Sequence, residues 1–258
     1  MPLNNKSLSH QRVAWETLEP RTLLSAGDLD TSFSVDGVAS SSLKGNGVEV
    51  QVQPDGKAVV AGTAQVSDKR TLIVMRFNGD GGIDSSFATN GVYQLPIGGT
   101  AEWTGAHEAD LAIRSDGRIV VAASNLLLRF TPSGQLDQTF GGGDGIVKAP
   151  THLYELVLLP DNSIYAGGDQ ALWHFTPGGA IDSNFGDSGA VNISGLTDST
   201  FTLSDISLAP DGKVIVLGRN VGPVARDYDY TYTKDDETVL RFTPNGDLDP
   251  TFGAGTGM

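Results

Sequence analysis

The chain contains no cysteine, which excludes disulfide bridges, thiolate metal sites and a cysteine nucleophile together, while leaving the compartment open. Histidine is scarce: His10, His107, His152 and His174 are the whole complement. No second histidine follows His107-Glu108-Ala109-Asp110 at metal-ligand spacing, and that segment opens an alternating stretch rather than a helix. Basic charge is short as well, with 17 Lys and Arg against 31 Asp and Glu and a formal net charge of −14. Such a field repels phosphate backbones and anionic lipid, which argues against a nucleic-acid partner and leaves proteins and glycans. No apolar run approaches the roughly 18 residues of a membrane-spanning helix, and residues 1–26 lack the apolar core of an ordinary signal peptide. Nucleophile elbow, phosphate-binding loop and dinucleotide fingerprint are missing too. With no catalytic constellation and no cofactor motif, the chain reads as non-enzymatic.

What the sequence does have is a repeat. An aliphatic residue, Asp, two small or polar residues and Phe recur at Leu29–Phe33, Ile83–Phe87, Leu136–Phe140, Ile181–Phe185 and Leu248–Phe252. The invariant pairs are Asp30 and Phe33, Asp84 and Phe87, Asp137 and Phe140, Asp182 and Phe185, and Asp249 and Phe252. Between these boundaries each unit carries an alternating stretch, a turn and an apolar run. In the first, Val48, Val50 and Val52 alternate with Glu49, Gln51 and Gln53, the pattern of a strand whose valines face a core. The turns are Asp55-Gly56, Asp116-Gly117, Asp161-Asn162 and Asp211-Gly212. Asp-Gly between strands predicts a type I′ hairpin, and Asn162-Ser163 makes the third turn the departure from the pattern. A further strand ends Arg-Phe in three units and His174-Phe175 in the other, and a short strand follows each boundary Phe.

Four short antiparallel strands per unit predict an all-β fold, a propeller-type array of four four-stranded antiparallel blades. The units run at approximately 27–82, 83–135, 136–180 and 181–247, and residues 248–258 begin a fifth. Four units are compatible with a small closed ring, with an open arc and with a fragment whose further blades lie elsewhere. A single blade cannot bury both faces, so its stability comes from stacking on neighbours.

The stretches Arg241–Gly253 (RFTPNGDLDPTFG) and Ala209–Val216 (APDGKVIV) resemble the delta-60 repeat, a bacterial β-propeller-like family, and the resemblance covers residues 27–258. It implies a propeller-type fold on an exported or surface protein and brings no catalytic set. Leu18–Ala26 (LEPRTLLSA) resembles the LEPR-XLL segment near the start of large bacterial extracellular proteins. That implies a targeting segment over residues 1–26, outside the folded domain, and an extracellular or cell-surface location.

Recurrence in every unit points to a structural role for the boundary Asp, as acceptor of backbone N–H groups in a tight turn, with Phe filling the gap between blades. Calcium is a competing reading, since hard cations want six to eight oxygens. Its candidates are Asp227, Asp229 and Asp235, but Tyr232 stands where the sharp turn of a calcium loop needs glycine. The insertion Val221–Glu237 breaks the repeat and sets Tyr228, Tyr230 and Tyr232 among acids, which suits contact with a sugar or a protein. The competing function class is a propeller hydrolase or lyase acting on polysaccharide through carboxylates at the channel ends.

Overall fold

Alternating residues before each Asp-containing turn, and the aliphatic run after it, fold as antiparallel hairpins because both strands then bury one side against a neighbour. The computed structural model describes residues 27–98, 109–168, 171–196, 200–227 and 230–258. The first sheet is β1 (Gly45–Val52), β2 (Ala58–Val66), β3 (Lys69–Phe77) and β4 (Val92–Pro96), hydrogen-bonded in that order. The second is β5 (Ala109–Ile113), β6 (Ile119–Ala123), β7 (Leu126–Phe130) and β8 (Ile146–Lys148). The third is β9 (Glu155–Leu158), β10 (Ile164–Gly168), β11 (Ala171–Phe175) and β12 (Ala190–Asn192). The fourth has three strands, β13 (Thr200–Leu208), β14 (Val214–Asp227) and β15 (Tyr230–Phe242). Its fourth strand would follow Phe252, as β4 follows Phe87; Arg241 N–H already donates to Gly257 O as Arg76 N–H does to Gly91 O. Helix is confined to two 3₁₀ turns among the described residues. The fold is all-β and propeller-type.

The hairpin turns differ from the expected type I′. Gly56, Gly117 and Gly212 have positive φ, whereas the Asp before each does not. Gly56 N–H donates to Gln53 O at 2.9 Å and Gln53 N–H to Lys57 O at 2.7 Å, the pattern of a type I turn completed by a left-handed residue. Pro54 fixes the first turn position, and the Asp55 carboxylate accepts the Lys57 N–H at 3.2 Å, an Asx turn that holds the loop. Asn162 takes the left-handed position of the third turn with φ 68. Asparagine tolerates that conformation, so the third hairpin keeps its shape.

The sheets stack face to face in chain order, β1 beside β5, β5 beside β9 and β9 beside β13. Each junction has its own core. Val59, Leu72 and Val74 meet Leu111, Val121 and Leu128 at the first. Val120 and Leu127 meet Leu156 and Ile164 at the second. Tyr165 and Leu172 meet Leu203, Val216 and Leu240 at the third. No such core joins the first and fourth sheets among the described residues, so the described units form an open arc rather than a closed ring.

That openness overturns the expected orientation of β1. Leu111, Leu156 and Ile206, five residues before their turn Asp, are 1%, 6% and 6% exposed, whereas Val50 at the same position is 58% exposed and Val52 is 70%. In later units this side packs on the preceding sheet, and no sheet among the described residues lies on this side of the first unit. Gln51 and Gln53 are turned inward instead, with Gln53 buried. Gln51 Nε2 donates to Leu111 O at 2.8 Å and its Oε1 accepts the Ile113 N–H at 3.2 Å, so one side chain completes both backbone groups across the junction. Truncating the same repeat position should therefore have unequal costs. Leu111→Ala is expected to destabilise by about 2–5 kcal/mol and Val50→Ala by about 0.5 kcal/mol or less, as read from urea unfolding midpoints.

Candidate functional site: boundary clusters and inner carboxylates

Each boundary motif folds around its aspartate. One carboxylate oxygen accepts the N–H of the residue two positions on, at 3.0 Å from both Ser86 and Thr139, and also its side-chain hydroxyl. The Asp carbonyl accepts the Phe N–H, as from Phe87 to Asp84 at 3.0 Å. This double constraint aims the Phe ring into the next unit, where Phe87, Phe140 and Phe185 are fully buried. Gly134 and Gly179 of the following turns sit so close to Phe87 and Phe140 that a Cβ would meet the ring at 2.7 Å.

The second carboxylate oxygen takes cations. Arg76 Nε lies 2.8 Å and Lys57 Nζ 2.9 Å from Asp84 Oδ2. Arg129 and Arg118 repeat this on Asp137, both at 2.8 Å, and Arg241 and Lys213 on Asp249 at 2.6 and 3.1 Å. The same guanidinium stacks on the boundary ring, 4.8 Å from Phe87, 4.6 Å from Phe140 and 4.6 Å from Phe252, a cation–π contact. It also reaches across the junction: Arg76 Nη1 donates to Pro132 O and Arg129 Nη1 to Pro177 O, both at 2.6 Å. One arginine thus ties together carboxylate, ring and neighbouring unit. Burial works against ionisation of Asp137, but the Thr139 N–H and hydroxyl, the Arg129 charge and Arg118 outweigh it and hold its pKa down to about 2. Asp84 is lowered in the same way by Ser86, Lys57 and Arg76 acting against its burial.

The third cluster is altered. His174 Nδ1 lies 3.1 Å from Asp182 Oδ2, Ser163 stands where the other turns supply Lys or Arg, and Tyr165 OH makes the link to Pro244 O at 3.4 Å. Asp30 has donors from Ser32 alone, at 2.9 and 2.6 Å, and no cation among the described residues.

A second set of acids escaped the sequence reading. Glu49, Asp110, Glu155 and Asp205 each stand six residues before a turn Asp, one on the innermost strand of each unit. Asp110 is buried; its Oδ1 accepts the Leu111 N–H at 2.6 Å and its Oδ2 the Leu156 N–H at 2.7 Å, joining β5 to β9. Burial raises Asp110 to about 6 despite these two donors, with the charges of Glu49 and Asp205 adding to the rise. Burial, then the neighbouring charges of Asp110, Asp205 and Glu49, push Glu155 up to about 8, and it hydrogen-bonds Asp110. The fixed offset was the available signal. It was masked because, in a half-buried strand, an acid at an alternate position reads as solvent-facing.

Of the remaining candidates, the hairpin that breaks the repeat is an extension of β14 and β15, paired from Val221↔Asp235 to Asp227↔Tyr230. Asp227, Asp235, Tyr230 and Tyr232 lie on those strands. Tyr228, Asp229, His107 and residues 1–26, expected to be a targeting segment and including His10, lie outside the described residues. No group of three or more metal-ligating side chains occurs among the described residues, and no helix there is long and apolar enough to cross a membrane.

Two outcomes follow from the shifted carboxyls. Asp137→Ala leaves two arginines facing an empty site and is expected to cost about 3–5 kcal/mol, while Asp30→Ala changes the unfolding midpoint little. In the parent, the stability contributed by Asp137 is present above about pH 4 and is lost as pH falls toward 2, because its folded pKa lies below the unfolded one. Asp110 and Glu155 act with the opposite sign. Their folded values lie above the unfolded range, so stability falls as pH rises from about 4 to 8. Glu155→Gln, which keeps a donor without a titrating proton, should flatten that decline in urea midpoints measured across this range.

A family profile described as "Domain of unknown function (DUF5122) beta-propeller" matches residues 53–87, 114–140 and 228–252. Each match ends on a boundary Phe, and the first two begin at the hairpin turn. No curated protein matches the sequence. Among solved structures, a hypothetical protein from Leishmania major aligns at 12% identity and a TM-score of 0.39, covering 78% of this chain and 64% of that one.

Proposed function

We propose that the chain is a non-catalytic interaction scaffold, outside the cell or on its surface, that presents loops to a protein or glycan partner. The observation that supports this reading is the recurrence of one boundary cluster at Asp84, Asp137 and Asp249. There carboxylate, guanidinium and ring satisfy one another, whereas catalysis needs one exceptional place. The departure from the repeat is the long β14–β15 hairpin, an insertion of the kind that carries recognition on a rigid scaffold. The outward location rests on the resemblance of Leu18–Ala26 to an extracellular targeting segment.

A polysaccharide hydrolase or lyase is the competing class, and Asp110 with Glu155 is the one place that draws attention to it. Glycosidases hold their two carboxyls about 5–9.5 Å apart to flank a sugar bond, whereas these two are directly hydrogen-bonded, and both oxygens of Asp110 already accept backbone N–H groups. The pair thus fits a joint between units better than a cleft. Incubation with a panel of polysaccharides is expected to release no reducing ends. Turnover abolished by Asp110→Asn at an unchanged melting temperature would overturn the scaffold reading.

A further inference from the structure

Repeat positions that are sealed inside the arc are open at its two ends. Val74, Leu127 and Leu172 are completely buried, whereas Val239, at the same position of the fourth unit, is 39% exposed. Ile215 and Leu217, on the same side of that sheet, are half-buried. At the other end Val50 and Val52 are exposed, as described above. Beside them Val60, Ile73 and Met75 line a cavity of about 210 Å³, partly covered by Ala39 and Leu43 from the segment before β1.

We propose that a second copy of this chain docks head to tail, the outward side of its first unit closing on the outward side of the fourth unit of its neighbour. The joint continues the three junctions already present, since its two halves carry the residues that those junctions bury position by position. The polar link has its halves as well. The bonds of the Arg241 guanidinium end at Asp249 and Thr251 among the described residues, while Arg76 and Arg129 each reach a carbonyl of the next unit. The corresponding carbonyl on a first unit is that of Gly79. Phe252, half-buried in the isolated chain, would enter the turn at Gly81 as Phe87 enters the turn at Gly134.

That turn has an occupant in the isolated chain. Ser34 N–H donates to Asp80 O at 2.7 Å, as Ala88 N–H does to Ser133 O at 2.8 Å, and Phe33 lies against Gly81. Leu29–Phe33 therefore fills the first unit's site with a boundary motif that lacks its cations, and Leu29 is exposed. Leu248–Phe252 carries the same motif with both cations in place, and docking exchanges one for the other. The contact is heterologous, so it propagates into chains or closes into rings. The charge of −14 on each copy opposes it, and salt strengthens it by screening.

Sedimentation velocity over a concentration series in 0.5 M salt tests the proposal. The weight-average mass of the parent should rise with concentration. Val50→Glu and Val239→Glu, each at an exposed position, should remain monomeric alone and form a dimer, and nothing larger, when mixed. Each then retains one competent side. Phe33→Ala should move association to lower concentration, a direction that a merely structural role for Phe33 would not give. Val52→Glu and Ile215→Glu replace either charge variant that lacks a cooperative thermal transition. A parent of monomer mass throughout, self-association of either charge variant alone at the parent's level, or weaker association of Phe33→Ala would each overturn the proposal.

Discussion

The arginine that ends the third strand of a unit is the interaction on which the array depends. In one guanidinium it neutralises the boundary Asp, covers the boundary Phe and donates to a carbonyl of the next unit. Neither half of this arrangement is stable alone. A buried carboxylate without its cation costs several kcal/mol, and a sheet with one bare side lacks the apolar burial that folding requires, about 25 cal/mol for each Å². The boundary cluster converts the second problem into the first by fixing a Phe where it must enter the neighbouring unit. Order within one blade and contact between blades therefore have a common cause.

The sequence carried most of this because the repeat is a repeat of chemistry. Five copies of Asp and Phe at constant spacing located the junctions, and Arg-Phe at the strand end lies eight residues before that Asp in three units, with His174 at this position in the third. What could not be read was anything that depends on having a neighbour. Val50 and Val52 of β1 have the alternation of a buried face and are exposed because no sheet among the described residues lies on that side. The type of hairpin turn was missed for a local reason: in Pro54-Asp55-Gly56 the proline cannot adopt positive φ, so the loop lengthens to three residues and only Gly56 turns left-handed.

The third unit shows how far the chemistry can vary without loss of the architecture. It replaces glycine by Asn162 in the turn, Lys or Arg by Ser163 beside it, and arginine by His174 at the strand end. Three concurrent changes would leave Asp182 poorly neutralised if it were as enclosed as Asp84, but its side chain is 26% exposed, against 7% there. Water supplies part of what the cations supply elsewhere. Tyr165 meanwhile takes over the bond to the next unit's proline carbonyl and packs beside His174 and Phe185. The substitutions are mutually adjusted, and the geometry of the junction is what they preserve.

The inner acids pull the other way. Four carboxyls at one repeat position lie on the innermost strands of stacked sheets, and burial raises the pKa of two of them, Asp110 and Glu155. Asp110 keeps two backbone N–H bonds that favour its charge, so the proton held by the group settles on Glu155, which has the more strongly raised pKa and hydrogen-bonds Asp110. Asp84, Asp137 and Asp249 are calm because cations surround them, and Glu155 is calm because it is protonated. The outer clusters consequently favour neutral over acid conditions while the inner line favours acid over neutral ones. The array is most cohesive between the two, where Asp137 is ionised and Glu155 still holds its proton.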